Sequence, residues 1–407
     1  MWPEKGIFTT VYRSHYLELD TLSMNTEFTT PFGVFHLHRF PSTRNGSLQA
    51  WDAADEYLLH HVFANFEKDL INSVCIINDD FGALSCALAK NDCVLVTDSL
   101  MSKTAIEKNL KRNQLENSLK IIDPFEFQSP APPYSLVMIK VPKTLALLED
   151  LLISLQEKLT PESAVIAAGK VSLVTKSVLS LFETYIGPTT TSLAKKKSRL
   201  IFARPSNKKG ASRPAPITVK DNALDFTLIN HVNVFCRDHL DIGARFLLEH
   251  LPLNTLSQKG LRTAVDLGCG NGVLGISFLR RSVESEVYFV DESSSAIQSA
   301  RATSKAAGVD DRSYFIQSHA LASLPEELKG NVDVILCNPP FHQNNAITEE
   351  IAWQMFKDAK HFLSTTGVLV IVANRQLNYM IKLKKLFSDV AIIARNKKFS
   401  IYRASKR

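Results

Sequence analysis

The chain has 407 residues, 45% of them hydrophobic and 22% charged, with a net charge of +6 and a pI near 8.9. That length exceeds what one hydrophobic core serves and calls for two domains, while the composition excludes a disordered or fibrous chain. No run of about 18 apolar residues occurs, and the N-terminal MWPEKGIFTT lacks a basic segment followed by an apolar one; a cytoplasmic protein with no membrane association is expected.

In the first half, apolar strand-like segments recur at CIINDDFGALSCAL (75–88), CVLVTDS (93–99), YSLVMIKVPKT (134–144), ESAVIAAGK (162–170) and KKKSRLIFARP (195–205). Next comes RPSNKKGASRPAPITVKDNALDF (204–226), rich in Pro, Gly, Ser and Lys, which reads as the least compact stretch and as a connection between domains. The expected division is a first domain over 1–205, a linker over 206–225 and a second domain over 226–407.

The second half alternates strands and helices. TAVDLGCGNGVLGISFLRR (263–281) gives a buried strand, a glycine turn and a helix. SEVYFVDES is a second strand, followed by the helical SSAIQSARATSKAAG. RSYFIQSHAL, NVDVILCNPPF, the helix TEEIAWQMFKDAKHFL, TTGVLVIVANRQ and a terminal KFSIYRAS complete the series. Short apolar strands alternating with helices predict a doubly wound α/β sheet with parallel central strands.

Laid side by side, the halves repeat in order and spacing. CIINDDFGALSCAL falls on VDLGCGNGVLGISFL, setting Phe81-Gly82-Ala83-Leu84 on Asn271-Gly272-Val273-Leu274, and CVLVTDS on VYFVDES sets Asp98 against Asp291. The expected fold is therefore two tandem Rossmann-like domains produced by duplication. The first copy is degenerate: GCGNG has become NDDFG, with Asp79 and Asp80 in place of glycines, and NPPF has become KVPK. No cofactor is expected there.

In VDLGCGNG, Asp266, Gly268, Gly270 and Gly272 stand where the first strand ends. Glycines tolerate positive φ and let a ligand approach the backbone, and the helix that follows presents unpaired N–H groups. Asp291 ends the next strand, where an acid accepts hydrogen bonds from ribose hydroxyls. A packing turn with a surface acid is the bland alternative. Dinucleotide turns rarely carry an acid such as Asp266, because the pyrophosphate is anionic; S-adenosylmethionine brings an ammonium and a sulfonium and is favoured over NAD.

Asn338-Pro339-Pro340-Phe341 ends the fourth strand and borders the same crevice. The exocyclic amine of a nucleobase is a poor nucleophile because its lone pair is delocalised. The Asn338 side-chain oxygen and the Pro339 carbonyl can grip its two N–H bonds, and proline rigidity holds that pair in place. Phe341 can stack on an extruded base, at about 1–3 kcal/mol per base; a turn with a core phenylalanine is the alternative. Asp241 and Gly243, in CRDHLDIGARFLLEHLP, precede the first strand and can close over the methionine end of the cofactor. His342 is a candidate base or phosphate contact, and His319-Ala320 lies where the adenine edge is expected. Basic clusters at Lys195–Lys197 with Arg199, at Lys208, Lys209 and Arg213, at Lys382, Lys384 and Lys385, and at Arg395, Lys397, Lys398 and Arg403 suggest a phosphate footprint.

The six cysteines, Cys75, Cys86, Cys93, Cys236, Cys269 and Cys337, form no C-x-x-C pair and mostly lie in apolar runs. Reduced thiols are expected, with neither a zinc site nor a disulfide framework.

NHVNVFCRDHLDIGARFLLEHLP, VDLGCGNGVLG, VDES, CNPPFHQ, IVANRQLNYMIKLKKLF and LQAWDAADEYLL together resemble the bacterial ribosomal RNA large subunit methyltransferase G family over nearly the whole chain. The Asn-Pro-Pro-Phe set is shared with the family's small-subunit relative. The resemblance implies S-adenosylmethionine-dependent methylation of the N2 amine of one guanosine in 23S rRNA. It also implies that the first domain helps to bind RNA and the second catalyses. Cys236 stands where the family often has Ser, and the linker is longer and more basic. Competing readings are a 16S rRNA guanine-N2 methyltransferase, a release-factor glutamine methyltransferase, a DNA adenine methyltransferase and an RNA-binding scaffold with an inactive pocket. A monomer is expected.

Overall fold

The computed structural model describes residues 26–42, 48–67, 72–115, 119–206, 210–251, 262–340 and 346–406, the side chains of 346–348 excepted. An antiparallel hairpin of β1 (Glu27–Thr30) and β2 (Gly33–His36) opens this part of the chain. It buries Phe28 and Phe35 in the first domain.

The first sheet contains β3 (Ser73–Ile77), β4 (Asp92–Val96), β5 (Leu119–Ile122), β6 (Leu136–Lys140), β7 (Ala164–Lys170), β8 (Thr189–Thr191) and β9 (Ser198–Ala203), in the order β5-β4-β3-β6-β7-β9-β8. After a two-stranded ribbon of β10 (Ile217–Val219) and β11 (Leu228–Asn230), the second sheet has the same arrangement. Its strands are β12 (Thr263–Leu267), β13 (Glu286–Asp291), β14 (Ser313–Gln317), β15 (Val332–Cys337), β16 (Leu363–Asn374), β17 (Asp389–Arg395) and β18 (Phe399–Ser405), ordered β14-β13-β12-β15-β16-β18-β17. In each sheet the first five strands of that order are parallel, and the sixth, β9 or β18, runs antiparallel to both its neighbours. The central strands β3, β6, β12 and β15 are almost wholly buried, which is why they read as continuous apolar runs rather than alternating ones. Each sheet carries one hydrophobic cluster on either face.

The duplication extends to backbone detail. Gly268 has φ 70° and Asn78, at the same place after β3, has φ 64°; Gly272 and Gly82 have φ 80° and 95°. Asparagine is among the few side chains that tolerate this region, so the turn has kept its shape while losing its glycine.

Strand register corrects two expected correspondences. Ile77 pairs with Val96 and Leu267 with Val290, so Thr97 takes the place of Asp291 and Asp98 that of Glu292. The same register puts Asn78 and Asp80, not Asp79 and Asp80, at the positions of Gly268 and Gly270.

Strand β17 was not anticipated. Its residues are partly exposed throughout, and it lies at the sheet edge against β18. The described part of the stretch 204–226, expected as the least compact, is held at several places, among them the ion pairs Asp221–Arg245 and Asp225–Arg280. Val219 joins the second core, and Arg213 forks onto the buried Asp150 with Nε to Oδ1 at 2.7 Å and a terminal nitrogen to Oδ2 at 2.5 Å. All six cysteines are free thiols, Cys236 partly exposed and the others buried. Among the described residues no helix is long and apolar enough to cross a membrane, and no His/Cys/Asp/Glu group is arranged to hold a metal.

Candidate functional site

Strand order reverses at β12, whose neighbours β13 and β15 lead away in opposite directions, and a crevice opens beyond the carboxyl ends of these strands. The glycine turn forms its floor. The amides of Gly268 and Cys269 donate to the Val290 carbonyl at 2.8 and 3.0 Å, and that of Gly270 to Asp291 Oδ2 at 2.9 Å. Gly270 has φ 53°, and a Cβ built on it meets nothing within 4 Å. The backbone here is open to a ligand, and any side chain would stand in its way.

Two acids behave differently. Asp291 borders the crevice, and its Oδ1 accepts the Ser293 amide at 3.0 Å. Burial raises its pKa against the opposing effect of those amides. Asp266 is completely buried beneath the turn and does not border the crevice. Its Oδ2 accepts the Gly275 amide at 2.8 Å and its Oδ1 has no partner, and burial pushes its pKa up to about 8.

On the opposite wall, β15 delivers Asn338 and Pro339. Asn338 Nδ2 donates to Asp241 Oδ2 at 2.9 Å, and the same oxygen accepts the Ala244 amide at 2.8 Å, capping the helix Ile242–His250. A carboxylate only accepts, so the amide nitrogen must face it. Asn338 Oδ1 is then left buried without a hydrogen-bond partner. Buried acceptors are rarely left so, and an orphan at a cavity wall marks a place where a donor belongs.

The cavity measures about 480 Å³, within the range of small-molecule sites. Of the residues expected at the site, Gly268, Gly270, Asp291, Asp241, Asn338 and Pro339 line it, as do His319 and Ala320. Asp266, Gly272 and Gly243 sit behind that wall; Ala244, the next residue of the helix, borders the cavity instead of Gly243. Phe341 and His342 lie outside the described residues. Phe235, Cys236, Glu292, Ser318, Met355 and, from the first domain, Met101 also line the cavity and were not foreseen. The first two carry a local signal: Phe235 is 61% exposed and Cys236 holds φ 51°, a strained value for a side-chain-bearing residue.

The first copy carries different side chains at the corresponding positions. Lys140 stands at the place of Asn338 and Asp52 caps the helix that matches Ile242–His250. The Lys140 ammonium lies 2.8 Å from Asp52 Oδ1 and 2.6 Å from Asp55 Oδ1. Asp79 takes the amides of Gly82, Leu84 and Ser85 at 3.1, 3.1 and 2.9 Å; the last of these corresponds to the Gly275 amide that Asp266 takes in the second copy.

The family model described as the RLMG N-terminal domain matches residues 25–207, and that described as the methyltransferase small domain matches 225–403. Ribosomal RNA large subunit methyltransferase G of Psychromonas ingrahamii is 43% identical over 377 residues, covering 91% of this chain and 96% of that one. The Alteromonas mediterranea protein of the same name is 45% identical over 415 residues, covering 94% and 100%. Among solved structures, the T. thermophilus 16S rRNA N2 G1207 methyltransferase in complex with AdoMet and guanosine covers 94% of this chain and 98% of its own. Its TM-score is 0.75 at 19% identity, a likeness of fold.

Proposed function

The chain belongs to the ribosomal RNA large subunit methyltransferase G family, and from that premise we propose that it methylates the exocyclic N2 amine of a guanosine in 23S rRNA with S-adenosylmethionine. The catalytic domain is 226–407; 1–205 is the degenerate copy that helps to bind RNA, and 206–225 links them. The observation that carries this reading is the orphaned Asn338 Oδ1, a buried acceptor fixed by Asp241 at the wall of a donor-sized cavity.

S-adenosylmethionine supplies an electrophilic methyl group on a positively charged sulfur. The residues fit it: Gly270 offers open backbone, Gly268 lines the cavity with a Cβ position 3.2 Å from the flexible end of Met355, and Asp291 offers acceptors for ribose hydroxyls. Asp266, behind the turn, holds the start of the helix Val273–Leu279 through Gly275 and acts as a support for the turn.

Asn338 Oδ1 accepts one N–H of the guanine amine and the Pro339 carbonyl accepts the other. These contacts draw the nitrogen out of conjugation and aim its lone pair at the methyl carbon. With the donor bound, an N–C bond would form as the C–S bond breaks, its electron pair would stay on sulfur, and the surplus amine proton would leave to solvent. The Asp241 carboxylate polarises the Asn338 amide and makes Oδ1 a stronger acceptor. Oδ1 is shielded from solvent here, so the target amine reaches it through a local opening of the wall. Phe341 stacks on the extruded base.

Exposed Lys195, Lys196 and Lys197 in the first domain and Lys384, Lys385, Lys397 and Lys398 in the second are the candidate phosphate contacts. Arg213 is withdrawn from that set by its buried pairing with Asp150. Mass mapping of rRNA from cells with and without the gene tests the assignment: loss of one N2-methylguanosine from 23S rRNA is expected, and an unchanged 23S map overturns it.

A further inference from the structure

The two domains meet through a reciprocal exchange of acids at helix N-termini. Helices Leu100–Arg112 and Ser294–Ala306 occupy equivalent places in the two copies, and each begins with a serine cap, Ser99 and Ser293. Asp98 of the first domain reaches the second helix: its Oδ1 accepts from the Ser295 amide at 2.8 Å, Ser295 Oγ at 2.8 Å and Ser294 Oγ at 2.6 Å. Its Oδ2 accepts from Ser293 Oγ at 2.5 Å and Asn233 Nδ2 at 2.8 Å. Glu292 of the second domain returns the contact. Its Oε2 accepts from Ser99 Oγ at 2.6 Å, and its carboxylate also takes the Met101 amide. The main chains join symmetrically, Leu100 amide to Glu292 carbonyl and Ser294 amide to Asp98 carbonyl, each at 3.0 Å.

This contact is continuous with the cavity. Met101, Asp291 and Glu292 all line it. Each acid sits at a helix N-terminus, where the macrodipole and unpaired amides favour negative charge. Glu292, adjacent to Asp291 and charged alike, is held by Ser99 and Met101; without them it would be a partly buried acid with lost partners beside the acid that faces the ribose. The Met101 side chain is an adaptable apolar surface on the same wall.

We propose that the first domain forms part of the methyl-donor site: Met101 walls the cavity, and Ser99 with the Met101 amide fixes Glu292 beside Asp291. The degenerate copy thus contributes to donor binding as well as to RNA binding. This inference rests on reading the cavity as the S-adenosylmethionine site. Met101 and Ser99 are positioning residues, acting on the donor's surroundings rather than on the transferred methyl group.

Calorimetric titration of the full chain with S-adenosylmethionine tests it, with melting temperature measured in parallel. Met101→Ala and Ser99→Ala are expected each to weaken donor affinity about fivefold, which is about 1 kcal/mol, at unchanged stoichiometry. Met101→Leu and Ser99→Thr should restore it. Asn233→Ala loosens the same contact on the Asp98 side, away from Glu292, and is expected to lower the melting temperature without changing affinity. Equal affinities for wild type, Met101→Ala and Ser99→Ala overturn the inference, as does an equal weakening in Asn233→Ala, which would mark general loosening. A wild-type chain that binds no donor overturns the reading of the cavity and this inference with it.

Discussion

Asn338 Nδ2 donates to Asp241 Oδ2 at 2.9 Å, joining the end of β15 to the cap of the helix Ile242–His250. One carboxylate oxygen therefore performs two tasks, holding the Ala244 amide and setting the orientation of the Asn338 amide. The first copy keeps the geometry of this pair and replaces its chemistry, with Lys140 facing Asp52 and Asp55.

Substituting Asp241 separates the two tasks. Asp241→Ala removes the cap, costing about 1 kcal/mol of stability, and frees the Asn338 amide to rotate. Asp241→Ser restores a cap to the Ala244 amide without supplying an anion to Asn338. The expected outcome is a melting temperature recovered in Asp241→Ser with kcat still reduced by at least about tenfold. Thermal denaturation and methyl-transfer rates on the same samples check this; recovery of both together would mean that the carboxylate acts only as a cap.

Gly270→Val places a branched side chain where a Cβ meets open space, at φ 53°. The αL strain costs about 1–2 kcal/mol, and the side chain obstructs the donor. Donor affinity should fall by at least about tenfold, or about 1.4 kcal/mol, while RNA binding measured by filter retention persists. Undiminished donor affinity would place the donor elsewhere.

In the first domain, Lys140→Met leaves Asp55, with its side chain 6% exposed, without its cation. Breaking a buried pair from one side costs about 3–5 kcal/mol, read as a lower urea midpoint. The loss should shrink at acidic pH, because burial already pushes the Asp55 pKa up to about 7 and its protonation removes the unpaired charge. Donor stoichiometry should stay at one per chain. A second equivalent bound to Lys140→Met would show that the ion pair alone blocks a preserved site.

Asp266 gives a pH signature. Its folded pKa of about 8 exceeds its ordinary value of 3.8, chiefly through burial. The fold therefore binds a proton that the unfolded chain releases, and stability is fully present below the unfolded pKa and is lost as pH rises toward the folded one. Donor-free protein should become less stable between about pH 5 and pH 8, and Asp266→Asn, which keeps an acceptor for the Gly275 amide, should flatten that decline. Urea titrations across this range check it; identical pH slopes for both proteins would exclude Asp266 as a source.

The parallel central strands and the glycine turn were legible because buried parallel strands read as unbroken apolar runs and positive φ demands Gly or Asn. Even the substitution of Lys140 for Asn338 followed from laying KVPK on NPPF. The alignment of Asp98 slipped by one because TDS and DES both offer an acid within one residue, and only the backbone ladder of Val96 with Ile77 and Val290 with Leu267 resolves the choice. Strand β17 escaped because its half-exposed residues give no buried face to read. Met101 could not be found locally, since the contact that brings it to the cavity joins Ser99 and Glu292 across 193 residues of chain.

The central claim is tested most directly by Asn338→Ala, comparing single-turnover transfer of labelled methyl to unmodified 23S rRNA with donor affinity in the same preparation. Transfer should fall by at least about 10²-fold while donor affinity stays within about twofold of wild type. Transfer that proceeds undiminished without the Asn338 amide contradicts the account.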